Sequence, residues 1–144
     1  MHALSVRLAA VAAFVSASSL PVLAQTAAPE APAVAAPAEK RAVVTNFESD
    51  AQLNDLAAKG RTVVFFFASW CPNCRATVTE LNARWADVNP DLTLVIADYD
   101  KETALKSRYG VTYQDTFVLL DAKGEGVKSW NSGGVDGLNA NSAL

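Results

Sequence analysis

The run Val63-Val64-Phe65-Phe66-Phe67, opened by Thr62, has no polar break. A half-buried strand alternates apolar and polar side chains, so an unbroken run of β-branched and aromatic residues predicts a strand covered on both faces, in the middle of a sheet. Its surroundings alternate short apolar runs with stretches of helical spacing, which is the pattern of an α/β chain. Val43 to Phe47 predicts a first strand. Ser49 opens a helix with Gln52 in a capping box, Leu53, Leu56 and Ala57 share its inner face, and Gly60 closes it. After Cys71, the residues Cys74, Val78, Leu81, Trp85 and Val88 recur at three- and four-residue steps, predicting a long helix ended by Asn89-Pro90.

Leu92 to Ala97 predicts a third strand, and Asp100 is placed to cap a helix running to Tyr109, with Gly110 as its terminator. Thr116 to Leu120 and Val127 to Trp130 predict an antiparallel hairpin around Asp121-Ala122-Lys123-Gly124, and the residues from Gly133 to Leu144 hold one short helix. With 144 residues, 51% of them apolar, the chain can bury one core and is too short for two full domains.

The first forty residues have a different character. Arg7 precedes an apolar stretch from Leu8 to Val15, and Val22-Leu23-Ala24 supplies small residues of the kind signal peptidase accepts, so residues 1–24 read as an export signal cleaved after Ala24. The alternative is an uncleaved anchor, but Ser16, Ser18, Ser19 and Pro21 interrupt the stretch before the ~20 apolar residues of a spanning helix. No cysteine precedes Cys71, so lipid attachment near the cleavage point is not expected. Residues 25–42, rich in Ala and carrying Pro29, Pro32 and Pro37, read as an extended tether. Residues 43–144 form the domain. Twelve basic against 15 acidic residues, with no basic block, make nucleic acid an unlikely partner.

The only two cysteines stand in Cys71-Pro72-Asn73-Cys74, directly after the most hydrophobic strand and at the start of the longest predicted helix. A helix N terminus favours an anion, so Cys71 is expected to carry a lowered pKa and act as nucleophile. Cys74, one turn on and more buried, is placed to resolve the mixed disulfide. Pro72 suits the first turn and stiffens the loop between the sulfurs.

Three other readings stand beside this one. A purely structural bridge would close a tiny loop and constrain the unfolded chain little. Zinc normally needs four ligands, and His2 lies within the signal, leaving two thiols and no histidine. Copper(I) carriage remains, although the only methionine is Met1, so the usual soft auxiliary ligands are missing.

The order of elements, together with Phe67-Ala68-Ser69-Trp70-Cys71-Pro72-Asn73-Cys74, resembles the thioredoxin family over Val43 to Leu144. The resemblance implies a thioredoxin-like α/β fold, a central mixed sheet flanked by helices, in its minimal form. Tyr109-Gly110-Val111 resembles the segment leading to the family's cis-proline loop, and Gly133-Gly134 its glycine turn before the last helix.

Two positions depart from the family. Where the cis-proline that helps hold substrate backbone is expected, this chain has Gln114-Asp115-Thr116, with Asp115 as the replacement. A cis bond there costs ~3 to 4 kcal/mol, so a trans bond and a reshaped loop is the competing expectation. Asp115 either approaches Cys71, raising its pKa and favouring a reductant, or is a solvated loop residue. The buried carboxylate and its lysine partner, found beneath the active site in many relatives, are matched by Phe65 and Ile96, which removes the usual proton acceptor of Cys74.

The resemblance also makes Trp70 an exposed platform for substrate. Substrate contact is accordingly expected from Trp70, Pro72, Asn73, Gln114, Asp115 and Thr116. Asp98 and Asp100 read as a helix cap and a solvated neighbour rather than paired acids.

The sequence therefore predicts a periplasmic or secreted thiol-disulfide oxidoreductase acting on protein thiols or disulfides, with reduction slightly favoured over oxidation. It would work as a monomer, be recharged by a redox partner, and need neither organic cofactor nor metal. The alternative from another class is a non-catalytic binding module that keeps the fold and uses the surface around Trp70 and Asp115.

Overall fold

A computed structural model of the chain describes residues 39–143. The expected export signal, residues 1–24, and residues 25–38 of the expected tether lie outside the described residues. From Val43 the elements are β1 (Val43–Asn46), α1 (Asp50–Lys59), β2 (Arg61–Phe67), α2 (Pro72–Arg84), β3 (Leu92–Asp98), α3 (Thr103–Tyr109), β4 (Thr116–Leu120), β5 (Gly126–Asn131) and α4 (Gly134–Ser142). The sheet order is β1-β3-β2-β4-β5. β2 is the central strand, parallel to β3 and antiparallel to β4, as its unbroken apolar run predicts.

Because side chains alternate along a strand, that run feeds two cores. Val64 and Phe66 pack with Leu53, Ala57, Leu105 and Val118 on one face. Val63 and Phe65 pack with Leu81, Leu94, Phe117 and Leu138 on the other. Phe65 stacks on Phe117 across β2 and β4, with ring centroids 4.3 Å apart, and Phe117 stacks on Trp130 of β5 at 5.4 Å. The three rings bridge β2, β4 and β5 beneath the second layer of helices. Phe65 and Ile96 are register partners on β2 and β3, so the two apolar departures from the family pattern face one another across a single ladder.

The local signals act largely as expected. Ser49 caps α1, its hydroxyl accepting the Gln52 N–H at 3.2 Å, while the Gln52 side chain accepts from the Glu48 N–H rather than closing the box on Ser49. Gly110 ends α3 with φ 65°, the left-handed conformation glycine adopts most cheaply.

Two expectations are corrected. The helix after Cys71 stops at Arg84 and tightens into a 3-10 turn, Trp85–Asp87, so Trp85 and Val88 join the core from beyond the α-helix. Asp100 does not cap α3, which begins at Thr103 with no side-chain cap. Asp98 instead caps the preceding turn, its carboxylate accepting the Asp100 and Lys101 N–H groups.

Candidate active site

α2 starts at the carboxyl end of β2, so the central strand delivers Cys71 to the helix N terminus. Cys71 is the N-cap residue and Pro72 the first helical residue, where a missing N–H is no loss. The Cys71 sulfur accepts the Cys74 N–H at 3.3 Å. Both thiols are free and buried, 3% exposed at Cys71 and fully enclosed at Cys74, against Ala68, Phe67 and Tyr99.

The two sulfurs differ electrostatically. Burial works against a thiolate at Cys71, but hydrogen bonds from the Cys74 N–H, the Cys74 thiol and the Asn73 N–H outweigh it and hold the group below its ordinary 9.0. Cys74 is pushed up to about 11 by burial first, then by the hydrogen bond to Cys71 and the charges of Cys71 and Asp115, against a backbone hydrogen bond at Ala68. The Cys71 sulfur is thus the readier of the two to ionise, and its neighbour holds its proton.

Asp115 is not a solvated loop residue. It is 3% exposed, and its charge acts on both cysteines, raising each pKa. No cis peptide bond occurs among the described residues, so the bond before Asp115 is trans, and φ at Asp115 is 58°. The left-handed turn brings the chain into β4, with the Asp115 N–H donating to the Phe66 carbonyl at 3.0 Å and the Asp115 carbonyl accepting from the Ser132 N–H at 3.0 Å. Asp tolerates this conformation better than most residues. Both carboxylate oxygens are buried without a hydrogen-bond partner. Burial raises the carboxyl pKa above the ordinary range, and the Thr77 hydroxyl on α2 opposes this by favouring the ionised form.

The other expected contacts divide. Trp70 is exposed, and its indole N–H donates to Asp100 at 2.8 Å, which fixes the ring beside the cysteines. Asn73, Tyr113, Gln114, Asp115, Asn131 and Ser132 line an open groove of about 270 Å³. Pro72 is exposed at its side of the helix terminus. Thr116 does not line that groove: it is buried, its hydroxyl donating to the Tyr113 carbonyl at 2.7 Å and accepting from Asn131 at 2.6 Å, so it braces the loop.

Tyr113, Asn131, Ser132, Thr77 and Asp100 were not singled out by sequence for this site. Tyr113 had a signal, an aromatic residue two positions before Asp115. Thr77 lies one turn beyond Cys74 on α2, and the others come together only through the fold. Among the described residues, no three His, Cys, Asp or Glu side chains converge as a metal site.

The protein aligns over 58 residues with thioredoxin-2 of Pyricularia oryzae at 37% identity, covering 40% of this chain and 33% of that relative. It therefore spans about a third of that protein's length. With the thioredoxin of Mycoplasma genitalium it shares 31% identity over 80 residues, 55% of this chain and 78% of the relative. The crystal structure of Trxlp from Edwardsiella tarda superposes with a TM-score of 0.52 at 27% identity, covering 61% of this chain and 85% of that one. The thioredoxin family profile matches residues 40–140, the span that carries both the sheet and the two cysteines. Strand order, helix-capping cysteine and sequence match agree, and the chain belongs to the thioredoxin family.

Proposed function

We propose that the protein is an exported thiol-disulfide oxidoreductase that reduces disulfides in protein substrates through Cys71 and Cys74. The observation that carries this reading is the split between two adjacent thiols: Cys71 caps α2 and lies below 9.0, while Cys74 lies at about 11. A dithiol of this kind attacks in a fixed order. The Cys71 thiolate attacks one sulfur of the substrate disulfide, forming a mixed disulfide and expelling the first substrate thiolate. Cys74, once deprotonated, attacks the Cys71 sulfur and expels the second. The substrate gains two electrons and the Cys71–Cys74 pair loses two.

Family membership and the groove beside the cysteines support protein substrates. Trp70 and Tyr113 offer exposed aromatic faces, 55% and 68% exposed, and Asn73 and Gln114 the polar rim of the same region. The reducing direction is supported by Asp115, whose negative charge opposes the thiolate at Cys71 and so favours the disulfide form. Export rests on Arg7, the Leu8 to Val15 stretch and the Val22-Leu23-Ala24 site, and implies periplasmic or secreted action. Intact mass of the protein made in an exporting host tests that part; a chain still beginning at Met1 would refute it.

The chemistry is tested by trapping. A Cys74→Ser protein should accumulate mixed disulfides with substrate proteins, and a Cys71→Ser protein should not. If Cys71→Ser supports the biological role as well as the unaltered protein, the reading fails in favour of a binding module.

A further inference from the structure

Resolution of the mixed disulfide needs the Cys74 proton to leave, and Cys74 has no contact with solvent. The proton must therefore pass to a group inside the protein or at the edge of the groove. The register partners Phe65 and Ile96 offer nothing to receive it. Asp115 is 3% exposed, carries two buried carboxylate oxygens without a hydrogen-bond partner, and exerts its charge on both sulfurs.

Its backbone is clamped from two sides, by Phe66 on the strand that leads to Cys71 and by Ser132 after β5. A buried, unsatisfied carboxylate on a left-handed non-glycine residue is costly on two counts, and such costs concentrate where a side chain has chemistry to perform. A route outward exists, since Asp115 also borders a second open groove of about 400 Å³ with Asn73, Thr77 and Ser132.

We propose that Asp115 is the proton acceptor for Cys74 in the resolving step. The assignment rests on the thiol-disulfide reading above. In the mixed disulfide, the Cys74 S–H gives its proton to an Asp115 carboxylate oxygen. The resulting Cys74 thiolate attacks the Cys71 sulfur, the bond between Cys71 and substrate breaks, and the electron pair leaves on the substrate sulfur. That thiolate then takes a proton from Asp115 or from water in the groove, returning the carboxylate. A raised carboxyl pKa, closer to neutral than an ordinary aspartate, suits this exchange.

The groups facing Asp115 decide what its titration reports. From α2 these are Cys71, Cys74 and the non-titrating Asn73 and Thr77, with Glu80 farther along the groove. From β2 and β4 they are Phe66 and Thr116, and from the segment after β5 Ser132 and, at the groove's far end, Asp136. Glu80 and Asp136 are both held by Arg84.

The test uses the reduced protein mixed with the small disulfide 5,5′-dithiobis(2-nitrobenzoate) in stopped flow. Attack by Cys71 releases one thionitrobenzoate and resolution by Cys74 a second, so the two steps appear as separate phases. In Asp115→Asn, an isosteric change that tolerates the left-handed turn, the second phase is expected to slow by about 10²-fold near neutral pH while the first is unslowed.

The direction discriminates between roles. If Asp115 acted only through its charge, removing that charge would lower the Cys74 pKa and speed the second phase, and that result would overturn the proposal. An unchanged second phase would overturn it equally. The unaltered protein gives a check that needs no folded variant: its second phase should be flat with pH between the carboxyl pKa and the onset of direct Cys74 ionisation, and a rate rising about tenfold per pH unit through neutrality would contradict a base at Asp115. Formate added to Asp115→Ala should restore part of the second phase. Absence of any second thionitrobenzoate from the unaltered protein would instead defeat the thiol-disulfide reading itself.

Discussion

Limiting alkylation of the reduced protein should fall almost entirely on Cys71. Cys71 lies below 9.0 and Cys74 at about 11, a separation of two units or more. At about pH 8, Cys71 is then more than roughly 10% thiolate and Cys74 about 0.1%, a ratio of at least ~100. The more basic thiolate is intrinsically the better nucleophile, with a Brønsted slope of about 0.4–0.5, which returns roughly a factor of ten to Cys74.

Net preference for Cys71 is therefore at least about tenfold before access is counted, and full burial of Cys74 widens it. The assay treats reduced protein with substoichiometric iodoacetamide and maps the modified peptide by mass spectrometry. Equal labelling of the two positions, or preference for Cys74, would refute the argument that the helix N-cap and its N–H donors select Cys71.

Three further outcomes follow from the same geometry. The Asp115 carboxyl is raised on folding, so its contribution to stability is present below its unfolded value of about 3.9 and is lost as pH rises through the folded value. Asp115→Asn should accordingly gain about 1 kcal/mol over the unaltered domain at neutral pH and nothing near pH 3, read by urea unfolding; a difference that ignores pH would count against a buried, unpaired carboxylate. Gly134 has φ 54°, and a Cβ there would run into the Glu80 carboxylate that accepts the Val135 N–H, so Gly134→Ala should lose ~1–2 kcal/mol in the same assay. Phe117 is fully buried between Phe65 and Trp130, so Phe117→Ala should cost ~3–5 kcal/mol, and a loss under ~1 kcal/mol would mean the stack does not hold β4 to its neighbours.

Features that depend on neighbours in sequence were legible from it. The β2 run, the Ser49 cap, the Gly110 terminator and the hairpin between β4 and β5 each answer to short-range physics, and so does the placement of Cys71 before Pro72 at a helix start. Asp100 misled because Asp98, two residues earlier, captures the N–H groups of the turn. The Asp100 carboxylate is then free to accept from Trp70, thirty residues away. Asp115 is the larger lesson. Aspartate is rarely enclosed, and only the pairing of β4 with β2, plus the return of the chain at Ser132, carries its side chain inside. Trp130 likewise found its place through a ring stack across three strands that no local pattern encodes.

The most direct test of the central claim is the reduction potential of the Cys71–Cys74 couple in the mature domain, read by equilibration in graded thiol-disulfide buffers. The account predicts a single reversible two-electron transition near about −270 mV, the range of a reductant. A value near about −120 mV would contradict the reducing direction, and the absence of any reversible transition would contradict the redox function altogether.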